Sequence, residues 1–180
     1  MGLSITYSLS ASGGPDEIRR RMSEWHAQLK QFLPDCRSSE LSVADVEVSF
    51  DLLPGSGSEI ARMRLRYGQD DLWRGFWDCK TQYAGCAQYG GPENFLKAHG
   101  CLSKALDIGR SLGLVESVCD DAGYWTHRSR EKLLKQFHIY QEVVGSLITQ
   151  VKAAGFSVKS PILSEREASQ RERRMAAIES

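Results

Sequence analysis

Cys79 and His99 are the residues of this sequence best suited to covalent chemistry. A thiolate can attack an electrophilic carbon while an imidazole takes up the proton, and a carboxylate such as Asp78 or Asp120 can orient the ring. Lys80 stands beside the cysteine, and a nearby positive charge favours the thiolate. Nothing in the spacing demands this arrangement, because such groups meet in space and not along the chain. A cysteine among aromatic residues serves equally well as a small buried apolar side chain.

Other constellations compete with it. Cys79, Cys86, His99 and Cys101 could hold a metal, but their spacing matches no common zinc pattern. His99 and Cys101 are two positions apart on an expected helix, so they point about 200° apart and cannot easily share one ion. His99 with Cys79 and Cys86 remains as a set, weighed against unrelated core thiols, and the expectation is no metal and no cofactor. His127 and His138 with Asp120 and Asp121 form a third candidate group, yet Gly123 follows closely and turn chemistry accounts for the two carboxylates. A fourth candidate is a recognition surface of Trp73, Phe76, Trp77, Lys80, Gln82, Tyr83, Tyr124 and Trp125, around residues 73–99 and 123–127. Rigid rings give large contact area at low entropy cost. The competing reading has Trp77 and Tyr83 plugging the open end of a sheet.

Bulk properties narrow the function mostly by exclusion. Lysine plus arginine balances aspartate plus glutamate, 23 against 23, so there is no global argument for nucleic acid or an anionic membrane. No apolar run approaches the roughly 20 residues of a membrane helix. The first residues alternate apolar and polar without a basic stretch, which reads as a strand rather than a leader. Five cysteines without a Cys-x-x-Cys suggest reduced thiols in a cytoplasmic protein. The sequence carries no Gly-x-Gly-x-x-Gly, Walker loop or His-Glu-x-x-His.

The elements that must position these residues follow from periodicity. Leu3, Ile5, Tyr7 and Leu9 alternate with Ser4, Thr6 and Ser8 as in a half-buried strand. Pro15 opens a helix whose apolar stripe is Ile18, Met22, Trp25 and Leu29; His26 lies about 100° from Trp25 and reads as a surface residue. Two more strands, at 46–52 and 60–67, predict their own register. Asp51 should oppose Arg62, Ser49 Arg64 and Glu47 Arg66, with Phe50, Val48 and Val46 opposite Met63, Leu65 and Tyr67. These carboxylates give the arginine row a structural role in place of phosphate binding. A helix starts at Pro92, with Phe95, His99, Leu102 and Leu106 inward. Residues 114–119 form a short strand that turns at Gly123 into a small hairpin through Tyr124 and Trp125. A long helix follows to about residue 154, its apolar face too wide for a coiled-coil seam. An edge strand at 156–159 and a charged helix opened by Ser164-Glu165-Arg166-Glu167 complete the chain.

The order implies one α+β domain, residues 1–160: an antiparallel or mixed sheet with helices packed on one face, followed by a charged C-terminal tail helix, residues 161–180. The run Phe76-Trp77-Asp78-Cys79-Lys80-Thr81-Gln82-Tyr83-Ala84, then Gly90-Gly91, Asn94-Phe95-Leu96, His99 and Gly123-Tyr124-Trp125, resembles a pattern in small uncharacterised bacterial proteins. That resemblance covers about residues 73–151. It implies a bacterial, soluble, cytoplasmic setting, and carries over no known activity, cofactor or catalytic residue. The leading expectation is a non-enzymatic binding or regulatory protein using the aromatic surface. Its partner would be a protein or a second copy of the chain, with a small ligand as the other candidate and nucleic acid disfavoured. The alternative is a small cysteine-dependent enzyme using Cys79 with His99.

Overall fold

The computed structural model describes residues 2–156. The charged helix of 161–180 lies outside them, as does the expected edge strand except Phe156, which is in no strand.

Alternation and turn chemistry build an antiparallel sheet. Its strands are β1 (Ser4–Ser12), β2 (Arg37–Ser38), β3 (Ser42–Ala44), β4 (Glu47–Leu53), β5 (Ala61–Tyr67), β6 (Leu72–Lys80) and β7 (Val115–Asp120). The spatial order is β2-β4-β5-β6-β1-β7, with β3 also on β4. The β4–β5 register is the one the charges require: Asp51 opposes Arg62, Ser49 Arg64, and Glu47 Arg66. Arg62 pairs with Asp51 at 2.9 Å, while Glu47 takes both Arg66 at 2.8 Å and Arg64 at 3.2 Å. A one-residue slip would have turned Val48, Phe50 and Leu52 to water.

Four helices complete the described fold: α1 (Pro15–Phe32), α2 (Gly91–Ser111), α3 (Tyr124–His127) and α4 (Arg130–Ala153). Pro15 pre-sets the first turn of α1, and Asp16 and Glu17 sit at its positive end. Ile18, Met22, Trp25 and Leu29 bury against the inner face of the sheet, with Ile5, Tyr7, Leu9, Phe50, Met63 and Trp73. Each such side chain contributes roughly 1.5–3 kcal/mol through its burial. Trp25 donates its indole N–H to Ala105 O of α2 at 2.9 Å. Gly109 leaves room for that indole, because a Cβ there would overlap it. A second cluster of Leu3, Phe95, Leu96, Leu133, Phe137 and Tyr140 joins α2 and α4 at the end of β1.

Some expectations need correction. Tyr124 and Trp125 do not return as a hairpin strand; they lie in the one-turn α3, entered through a left-handed Gly123. His26 is not a surface residue: it is 7% exposed, beside the Phe50 ring, and bonds Ser39 O at 2.8 Å. Cys36 and Cys101 form a disulfide, so the five cysteines are not all thiols.

Candidate functional site

Strand β6 sorts the focal residues by parity. Trp73, Gly75, Trp77 and Cys79 face the helices, and Leu72, Arg74, Phe76, Asp78 and Lys80 face the other way. Trp73 is fully buried and donates to Gly13 O at 3.3 Å. Gly75 is required because a Cβ there would overlap Arg64 O of β5. Trp77, half-buried, donates to Ile60 O at 3.1 Å under the Arg62 guanidinium, 4.8 Å from its ring centre. The indole thus ties β6 to the residue that precedes β5.

Cys79 is fully buried, and its thiol donates to Glu59 O at 3.3 Å. Burial, with the negative charges of Glu59 and Asp78, pushes this thiol well above its ordinary range. The expected lowering by Lys80 is therefore reversed, and the thiolate is disfavoured at neutral pH. Asp78 turns away and accepts from Thr6 Oγ1 at 2.8 Å.

His99 is also fully buried, but both ring nitrogens are engaged elsewhere. Nδ1 lies 2.8 Å from Thr81 Oγ1 and Nε2 lies 3.2 Å from the Asp120 carboxylate. An ionised carboxylate only accepts, so Nε2–H donates to Asp120; in the neutral ring Nδ1 then accepts the Thr81 proton. Asp120 also accepts from Trp125 N at 2.7 Å and Ala122 N at 2.8 Å. Burial opposes its ionisation, yet His99 and these two N–H groups outweigh it and hold the carboxyl below its ordinary value.

This hydroxyl–imidazole–carboxylate series ties the end of β6 to α2, β7 and α3. Phe95 and Tyr124 enclose the ring at centroid distances of 5.4 and 5.8 Å. Thr81 Oγ1 is itself sealed, with Leu3 O at 3.5 Å, so no substrate carbonyl reaches it in this arrangement. Asp120 was legible as a partner of His99. Thr81 was not, because nothing in its spacing distinguishes it from other strand-end threonines.

The remaining candidates divide between locations. Gln82 is buried; its side chain accepts from Leu3 N and donates to the Tyr140 hydroxyl at 3.2 Å. Lys80 and Tyr83 are half-buried. Trp125 sits between the guanidinium groups of Arg128 and Arg110, at 4.4 and 5.5 Å from its ring. Arg128 in turn binds Asp107 at 2.7 Å. His127 and His138 are exposed, and Asp121 accepts from Ser4 Oγ at 2.9 Å. Among the described residues, no three His, Cys, Asp or Glu side chains are grouped to hold a metal ion, and no helix is long and apolar enough to cross a membrane.

Phe76 alone among these aromatics projects into solvent, 70% exposed. It lies opposite Ser8 of β1, which itself opposes Ser117 of β7. Around it are Arg74, Asp78 and the row Thr6, Ser8 and Ser10, on the sheet face away from α1 and α2. No protein-family model, curated protein or solved structure matches this chain.

Proposed function

We propose that the chain is a non-enzymatic binding protein whose recognition surface is the uncovered face of the sheet, centred on Phe76. The observation that carries this reading is the 70% exposure of Phe76 on an inner strand of the sheet. A ring left in water forgoes roughly 1.5–3 kcal/mol of burial, which becomes available on contact with a partner. Arg74, Asp78 and the β1 hydroxyls would supply the polar rim. The partner is a protein or a second copy of the chain. The reading sets the protein in the cytoplasm, on the odd cysteine count and the three cysteines outside the disulfide.

The thiol reading gains no specific support, since Cys79 and His99 bond to different partners. Binding is tested by quantitative capture on immobilised protein, with the captured species identified by mass. Phe76→Ser should lose what the parent retains, with an unchanged unfolding midpoint. Val143→Ser on α4 serves as the exposed control. Retention of the same partners by Phe76→Ser would end this reading.

A further inference from the structure

Loops of the sheet dock on one side of α2. Asn94, Ala98 and Cys101 recur there at i, i+4 and i+7, a single helix face. Asn94 Nδ2 donates to Ser56 O and to Ala84 O, each at 2.9 Å. Gly55 packs so closely that a Cβ would come within 2.8 Å of Ala98 Cβ. Cys101 ends this seam in its disulfide to Cys36, which lies just after α1. We propose that Cys36–Cys101 is a reversible dithiol–disulfide clasp, fastening residues 33–44 to α2 under oxidising conditions and releasing them under reducing ones.

Two observations separate this pair from a core staple. Cys36 is half-buried whereas Cys101 is 8% exposed, so Cys36 is the more open of the two residues to an incoming thiol. Cys36 Sγ also lies 3.8 Å from Pro54 O, an acceptor for the thiol it becomes. The segment so fastened is built from short elements. β2 has only two residues, and the three residues of β3 are all exposed. Its other ties include the short ladders to β4, Leu33 and Leu41 packed partly buried against the core, the Lys30–Glu40 ion pair at 3.2 Å, and hydrogen bonds from His26 to Ser39 O at 2.8 Å and from Ser39 N to Asp51 O at 2.9 Å.

The exchange balances with a small monothiol of the glutathione class as co-reactant. Its thiolate attacks Cys36 Sγ, the protein S–S bond breaks, and Cys101 leaves as a thiolate that takes a proton. A second monothiol then displaces Cys36 from the mixed disulfide. The products are two protein thiols and one small disulfide, with two electrons passed to the protein.

The full-length chain is equilibrated in glutathione buffers of graded ratio, alkylated under denaturing conditions and mapped by mass. In parallel, amide exchange is followed in the oxidised and reduced protein. Two of the five cysteines, in the peptides holding Cys36 and Cys101, should be protected when oxidised and released together on reduction. Reduction should speed exchange in 33–44 by about tenfold or more while 18–29 of α1 stays protected. Re-oxidation should restore the slow rate. Cys36→Ser, with Cys101→Ala as a second variant, should show fast exchange in every buffer. Five reactive thiols in the oxidised protein would overturn the clasp. So would equal exchange in both states, or loss of protection across α1 on reduction, which marks a structural staple.

Discussion

Replacing His99 with leucine separates a structural relay from a dispensable one. The substitution keeps an apolar side chain against Phe95 but removes both ring nitrogens. The Nε2–H bond to a buried ionised carboxylate is of the class contributing about 1.5–3 kcal/mol, and the Thr81 bond adds about 1 kcal/mol. Asp120 keeps Trp125 N and Ala122 N, which limits the penalty of orphaning it. The expected loss is therefore about 3–4 kcal/mol, a large share of an ordinary domain's stability. Urea unfolding followed by tryptophan fluorescence reads it directly. Asp120→Asn and the double variant complete a cycle, in which the coupling should be about 1–3 kcal/mol. The pH dependence carries its own sign. The folded carboxyl lies below its ordinary value, so its contribution is present above about pH 4 and is lost as pH falls toward the folded value. Asp120→Asn should flatten that acid limb. A His99→Leu loss below about 1 kcal/mol, or additive singles, would refute the relay as a structural tie.

Other consequences can be checked with the same protein. Burial, with Lys30 adding to it, holds His26 below the ordinary imidazole value against the opposing pull of Ser39 O and Glu40. Stability should therefore decline as pH falls from about 6.5 through the folded value, and His26→Gln should lessen that slope in urea melts at pH 7.5 and 5. Gly75→Ala must displace the β5 backbone and should cost about 1–3 kcal/mol in thermal unfolding. Gly145→Ala in α4 meets nothing within 4 Å and should instead stabilise by about 0.5–1 kcal/mol. Iodoacetamide at pH 7 should modify exposed Cys119 well before buried Cys79; comparable rates would contradict the raised Cys79 thiol.

What could be read from the sequence follows how each interaction is encoded. The β4–β5 pairing was legible because acid and base alternate with apolar residues on both strands, so that only one register satisfies both faces. Strand β6 carries no such signal. Trp73 and Trp77 point inward while Leu72 and Phe76 point outward, and apolar residues on both faces erase the period of two. His26 read as a surface residue because its angle around α1 is set off from Trp25, but Phe50 and Ser39 come from elsewhere to cover it. The Cys36–Cys101 pair is separated by 65 positions, and no local pattern encodes a contact that loop docking creates.

Aromatic density in 73–99 and 123–127 therefore has two physical causes with opposite consequences. Trp73 and Trp77 each give an indole N–H to a backbone carbonyl, and Trp125 is held between two arginines. These rings have already spent their contact area inside the fold, and removing one opens a cavity in or beside the core. Phe76 has no such engagement to lose. Its replacement leaves the packing intact, so a binding defect there reports the surface and not the fold, whereas the same defect in a Trp73 or Trp77 variant would not distinguish them. The clasp lies on the side of α2 that receives the loops, and Phe76 on the opposite face of the sheet. Distant sites without shared partners act additively. Opening the clasp should thus leave binding at Phe76 unchanged unless residues 33–44 themselves reach the partner.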